Sequence, residues 1–367
     1  MEKISDEKYI LLEDQSKLHW LPKRYDLYFN KTTLIFGAPQ TGKTTILDEI
    51  LYLCRNKAPV IFAIAPTNAS NNTYTGKIPK SCILSELKIP WIENFVRRQR
   101  YLAEVYQNSN NLATLKSLFC RVATDSDIRL VKTTVKRATD AVSFIEKQDW
   151  PFSKKRSQRI EITQVRDNFL RKYFKNVIRS KKHILMARID LSILERGALD
   201  YLDINPNAVL ILDDCASNFK KWYKQTTAFK EMFYNVRWLN LTLIITTQDD
   251  KEIDSELRKS SMIQIFTSSQ IASANFERGS NFYSKDIRLR SQRCIKACFD
   301  QPKGELPHFR KLVYIRGDSE PFRYTIAELY EDFKFGCSEL WKFDKKISDN
   351  FNSARELNPY YTKGSAL

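Results

Sequence analysis

The sequence predicts an α/β protein in which a mainly parallel sheet is flanked by helices. Three observations carry this expectation. An apolar run, Leu34, Ile35 and Phe36, leads into a glycine-bearing segment, and apolar residues at helical spacing follow it (Ile46, Leu47, Ile50, Leu51). Further continuous apolar runs at residues 59–65, 208–212, 239–247 and 262–266 have the form of strands covered on both faces. Residues 312–315 and 322–326 flank Gly317-Asp318-Ser319-Glu320-Pro321 and read as a β-hairpin at the edge of the sheet.

Taken in order, residues 1–32 form a polar lead-in whose Trp20, Leu21, Tyr25, Tyr28 and Phe29 are expected to cover a sheet edge. Residues 33–95 hold the first part of the core. Its second strand ends at Pro66, and a polar loop runs from Thr67 to Gly76. Ligands of open α/β sheets sit at the carboxyl ends of strands, so this loop either faces a ligand or is simply solvated. Residues 96–185 read as a basic helical insertion and residues 186–330 as the second part of the core. Residues 331–367 form a C-terminal helix and tail, polar and frayed from Asp344 onward.

From residue 97 to 182 there are 21 Lys and Arg against 8 Asp and Glu, so most of the formal charge of +17 sits in the insertion. Apolar residues recur there at helical spacing (Leu130, Val131, Val135; Phe169, Leu170, Phe174, Val177), and Trp150-Pro151 divides the segment. A field of this sign favours polyanions, and contacts to a phosphate backbone would be sequence-independent and salt-sensitive. A solvated helix face or a docking surface for a partner protein are the alternatives.

The seven cysteines are odd in number and lack framework spacing, which fits reduced thiols in an intracellular protein. Cys294 and Cys298 could share a helix face, but His19, His183 and His308 are too scattered to complete a metal site. No apolar run approaches the length of a membrane span, and the first residues lack the apolar core of a secretory signal. A soluble intracellular protein is the expectation.

The glycine-bearing segment, Gly37-Ala38-Pro39-Gln40-Thr41-Gly42-Lys43-Thr44, is a complete G-x-x-x-x-G-K-T phosphate loop between a strand and a helix. Backbone N–H groups wrap phosphates there, and the helix N-terminus adds partial positive charge. The expected nucleotide-binding set runs from Gly37 through Thr44 to Thr45, with Lys43 reaching the β- and γ-phosphates and the Thr44 hydroxyl ligating Mg²⁺. A nucleoside triphosphate and Mg²⁺ are therefore the expected cofactors, the loop alone leaving ATP or GTP open. A glycine turn with a surface lysine is the bland alternative.

Residues 208–212 end in two carboxylates, Asp213 and Asp214. Asp213 is expected to hold Mg²⁺ through its water shell, and Asp214 to orient or deprotonate a water at the γ-phosphate. A helix N-cap is the competing reading, since Ser217, Phe219, Trp222 and Tyr223 follow. Gln248 ends the strand at 239–247, where an amide could bridge the attacking water. Arg237, just before that strand, is either a guanidinium offered to a neighbouring subunit's γ-phosphate or a surface arginine stacked on Trp238.

Together these residues resemble the poxvirus-type DNA-packaging ATPases of large double-stranded DNA viruses, within the FtsK–HerA superfamily of P-loop NTPases. The resemblance rests on residues 37–44; on Pro66-Thr67 with Asn72 and Tyr74; on Ile211-Leu212-Asp213-Asp214; on Arg237-Trp238 ahead of Gln248; and on Phe322-Arg323-Tyr324 leading to Ala327. It covers about residues 30–95 and 205–330, not the basic insertion. Trp238 stands where this viral group usually has a histidine, and Asp214 where cellular relatives have a glutamate. The resemblance implies a RecA/FtsK-like core and an ATP-driven homo-oligomeric ring, a hexamer, that moves double-stranded DNA into a capsid. It also implies Arg237 as a finger acting in trans, Gln248 as a catalytic residue, and a capsid or portal-vertex partner at a cytoplasmic assembly site of the host cell. A helicase or segregation motor of the same superfamily, and a nucleotide-gated scaffold with little turnover, are the competing functions.

Overall fold

The computed structural model describes residues 8–67, 72–215, 218–300 and 310–357, with the backbone alone for residues 220 and 350–357. The chain divides into two compact units, Met1–Arg100 with Pro206–Leu367, and Tyr101–Asn205.

The first unit is built on a ten-stranded sheet among the described residues: β1 (Tyr9–Leu11), β2 (Lys17–Trp20), β3 (Thr32–Phe36), β4 (Val60–Ile64), β5 (Ile83–Leu84), β6 (Ala208–Asp213), β7 (Leu241–Thr247), β8 (Ile263–Phe266), β9 (Arg310–Ile315) and β10 (Phe322–Ile326). Its spatial order is β1-β2-β10-β9-β8-β3-β7-β6-β4-β5. The six strands from β8 to β5 in that order are mutually parallel. The apolar runs read from the sequence are thus β3, β4, β6, β7 and β8.

Successive strand residues point to opposite faces. Leu34, Phe36, Leu210, Leu212, Leu243 and Ile245 join one buried cluster. Ile35, Val209, Ile211 and Ile244 join the other. Helices cover both faces, so apolar side chains are required at every position rather than every second one.

The hairpin β9–β10 forms, but not at the sheet edge as expected. β9 pairs antiparallel with β8, and β10 pairs parallel with β2, Arg323 opposite His19. The lead-in is therefore part of the sheet rather than a cover for it. Only Leu18 of β2 is deeply buried, so the local pattern is too weak to announce a strand. The strand is held by pairing to a partner some 300 residues away and by Trp20 packing edge-on against Tyr324 at 5.2 Å. The expected C-terminal helix is present and continues past Asp344, where a frayed tail was expected. A helix runs from Ser338 to Leu357, and Asp344 accepts a 2.7 Å hydrogen bond from the Ser81 N–H.

The second unit is helical, with the long helices Asp125–Glu146 and Phe152–Ser180 separated at Trp150-Pro151. It has its own core of Leu115, Leu118, Phe119, Leu170, Phe174 and Ile178 with residues of the later helices. Helix Asp125–Glu146 begins at a capping box on Thr124 and Asp127, yet only Ile145 of it is buried. Its Leu130 and Val135 are exposed, and so are Phe152, Ile160 and Val165 of the next helix. No described helix is long and apolar enough to cross a membrane.

Candidate nucleotide-binding site

The phosphate loop leaves β3 between β7 and β8. Gly37 donates to the Thr247 carbonyl at 3.1 Å, and Thr267 donates to the Phe36 carbonyl at 3.0 Å, so both neighbouring strand ends hold its entry. A Cβ on Gly37 would collide with the Thr267 and Thr41 hydroxyls. Gly42 sits at φ +83° and caps the helix Lys43–Cys54, a left-handed conformation that suits glycine. Thr41 donates to the Ala38 carbonyl at 2.7 Å and shares a hydroxyl contact with Thr267 at 2.5 Å. The helix is anchored beneath by two buried acids: Asp48 pairs with Lys77 at 2.7 Å, and Glu49 pairs with Lys23 at 2.9 Å.

Two strands from β3, the tip of β6 presents the paired acids. Lys43 Nζ lies 3.2 Å from Asp214 Oδ1. Asp213 accepts from the Tyr74 hydroxyl at 2.8 Å and, on its other oxygen, from the Thr246 hydroxyl. Burial raises the Asp213 pKa, and the Asp214 charge adds to this, while the two hydroxyls and Lys43 oppose it. Burial, and then the charge of Asp213, push the Tyr74 phenol well above its ordinary value. Asp214 has φ +49°, a conformation that costs a non-glycine residue on the order of 1 kcal/mol. The N-cap alternative is not what forms: the next helix, Phe219–Gln225, has Asn218 at its N-cap; Ser217 and residues 68–71 of the loop after β4 lie outside the described residues.

Between β3 and β6 lies β7, so Gln248, exposed just past its end, sits on the strand tip that separates the phosphate loop from the acids. The chain beyond it is firmly tied. Thr247 donates to the Asp249 carbonyl and to Glu252, and the buried Asp250 receives both Arg278 Nε at 3.0 Å and Nη2 at 2.7 Å. Arg237 is elsewhere. It lies in the turn before β7, at the amino end of a strand spanning roughly 20 Å, next to Lys31 and away from the loop. It is exposed and makes no side-chain hydrogen bond or ion pair among the described residues, and Trp238 is 73% exposed. The structure thus gathers Lys43, Asp213, Asp214 and Gln248 at one end of the sheet and leaves Arg237 at the other.

Thr246, Thr267, Arg278 and Lys311 were not singled out from the sequence. Polar residues ending a strand covered on both faces must find partners, and that signal was present in Thr246-Thr247. The donor set could hold a hard dication, with the exposed Thr44 hydroxyl on the first helical turn and the Asp213 carboxylate across the crevice. A cation there would offset the carboxylate burial that raises the Asp213 pKa.

A phosphate loop between parallel strands, opening a helix and facing an acidic strand tip, defines a P-loop NTPase. Comparison with known proteins found a family model, a viral relative and several solved structures. The family described as Zonular occludens toxin (Zot) matches residues 132–270, a span that includes Asp213, Asp214 and Gln248. A protein of African swine fever virus, "Uncharacterized protein B354L", is 28% identical over 351 residues, covering 92% of this chain and 93% of the relative. Among solved structures, the genome packaging NTPase B204 from Sulfolobus turreted icosahedral virus 2 in complex with ATP-gammaS superposes with a TM-score of 0.35 at 14% identity, over 83% of this chain and 97% of that one. The pCW3 conjugation coupling protein TcpA with ATPgS gives 0.37 at 11%, over 95% and 72%. African swine fever virus is a large double-stranded DNA virus, the class to which the motif resemblance pointed.

Proposed function

We propose that the chain is an ATP-driven translocase of double-stranded DNA that packages a viral genome, working as a homo-oligomeric ring. The observation that carries this reading is the convergence of Lys43, Asp213, Asp214 and Gln248 on adjacent strand tips while Arg237 stays exposed at the far end. Lys43 and the loop from Gly37 to Thr45 bind the triphosphate, through N–H groups other than that of Gly37, which Thr247 holds, and with none from Pro39. Thr44 and Asp213 hold Mg²⁺, which neutralises phosphate charge when bound. Asp214 takes a proton from the attacking water, and Gln248 orients that water. Arg237 serves the site of a neighbouring copy, because its own site is too distant.

The basic helical unit, with 20 Lys and Arg against 12 Asp and Glu in residues 101–205, supplies a sequence-tolerant contact for DNA. The relative matched over nine-tenths of the chain comes from a virus, which supports the viral part of this reading. The ring docks on a capsid or portal-vertex protein at the cytoplasmic assembly site of the host cell.

Long double-stranded DNA is expected to stimulate Mg²⁺-dependent ATP turnover. The DNA concentration for half-stimulation should rise about 100-fold between 50 and 200 mM salt if about four phosphates are contacted. A salt series of ATPase rates, beside a molecular mass with nucleotide bound, tests this. Strand separation on forked DNA would redirect the reading to a helicase. Nucleotide binding without DNA-stimulated turnover would redirect it to a scaffold.

Tyr74→Phe removes one hydroxyl from Asp213 with little change in shape. The Mg²⁺ concentration for half-maximal turnover is expected to rise about 10-fold, with a smaller change in rate at saturating Mg²⁺. An unchanged Mg²⁺ titration would remove Asp213 from the metal site.

A further inference from the structure

Lys311 is a fully buried lysine on β9, two strands from the phosphate loop. Its ammonium donates to the Thr41 carbonyl at 2.8 Å and lies 3.0 Å from where a Cβ on Gly42 would stand. The Thr41 carbonyl and the Gly42 N–H belong to one planar trans peptide and point in opposite directions. A cation that holds the carbonyl on the outer side of the loop therefore turns the Gly42 N–H toward the inner side, where phosphate binds. Thr41 is fixed a second time through its hydroxyl, by Ala38 and Thr267.

We propose that Lys311 is a positioning residue of the phosphate loop: it locks the Thr41–Gly42 peptide with its N–H toward the phosphates of a nucleotide and adds a second positive charge behind the loop. This rests on the nucleotide reading of the same site. Lys43 acts on the phosphates directly, whereas Lys311 acts through the backbone, so the two should be separable by kinetics.

Charge at Lys311 is open to titration. Burial lowers its pKa from the ordinary lysine value to about 8. Around it stand Thr267 at the end of β8, Thr325 opposite it on β10, Arg310 beside it on β9, Thr45 past the loop and Cys298 of the helix Lys285–Phe299. The Cys298 thiol is pushed up to about 12 by burial and stays protonated at neutral and mildly alkaline pH. Protonated Lys311 favours the anion, so nucleotide affinity should fall as pH rises through 8, while the terminal phosphate, with a second pKa near ~6, is already ionised.

The test is titration of the full chain with a fluorescent ATP analogue and Mg²⁺, in wild type and Lys311→Met, with melting temperature recorded for both. Affinity for ATP and ADP analogues is expected to fall about 10-fold, and KM to rise by a similar factor, with kcat within about 2-fold; one lost charge-assisted hydrogen bond sets that scale. Equal affinity in a folded Lys311→Met protein would overturn the proposal. If Lys311→Met does not fold, the wild-type chain decides. A several-fold loss of affinity from pH 7.5 to 9.5 supports the proposal, and a flat profile overturns it. Failure of the wild type to bind any triphosphate is a distinct result, which removes the nucleotide reading itself and this inference with it.

Discussion

Turnover by the Arg237→Ala protein is expected to fall by about 10³-fold or more, the scale of a lost arginine finger. Its nucleotide affinity as a single chain should hardly change. Arg237 is exposed and unpaired among the described residues, so truncation should alter fold stability by no more than about 0.5 kcal/mol. A large kinetic loss with an intact melting curve would then mean that the guanidinium acts on another copy. Mixing decides the matter. Lys43→Ala copies cannot turn over ATP but keep Arg237, and Arg237→Ala copies keep the phosphate loop. Activity recovered in the mixture locates the finger in trans. Two inactive proteins that stay inactive when mixed would leave Arg237 without that role.

Asp214→Asn separates binding from chemistry. Without nucleotide, Lys43 and Asp214 neutralise one another across 3.2 Å. Under the proposed function, incoming phosphates would compete for the ammonium, and its departure would free a carboxylate to accept a proton. Asparagine is the same shape and tolerates the left-handed backbone found at this position, but it accepts no proton and carries no charge to hold Lys43. The expected result is a fall in kcat of about 10²–10⁴-fold with nucleotide affinity equal to wild type or tighter. Steady-state ATPase rates beside a nucleotide titration would check both halves. Wild-type turnover would exclude Asp214 as the base. A loss of affinity as large as that of Lys43→Ala would mean that the acid supports the loop rather than the reaction.

The central strands were legible because a sheet covered on both sides demands apolar residues without alternation, as in Leu34, Ile35 and Phe36 or residues 208–212. The phosphate loop was legible because its chemistry fixes glycines and a lysine at set intervals. The strands of the lead-in were not, because β2 pairs with a segment far along the chain and only Leu18 of it is deeply buried. Lys311 was invisible for a related reason. At the head of the apolar run 312–315 it reads as a solvated strand end, and only the packing of β9 beside β8 carries its ammonium beneath the loop. Asp213 and Gln248 were placed through position at strand ends, whereas the hydroxyls that hold Asp213, from Tyr74 and Thr246, and the Arg278 guanidinium that holds Asp250 beyond Gln248, come from elements distant in sequence from the acids they hold.

The placement of Arg237 and the phosphate loop at opposite ends of β7 restricts any assembly that joins them. A two-fold pair can do so only with its copies antiparallel, each lending its arginine to the other, and it then stops at two copies. A head-to-tail contact instead lets each copy give at one end and receive at the other. Such a contact closes when the rotation from copy to copy divides a full circle and otherwise continues as a helical filament.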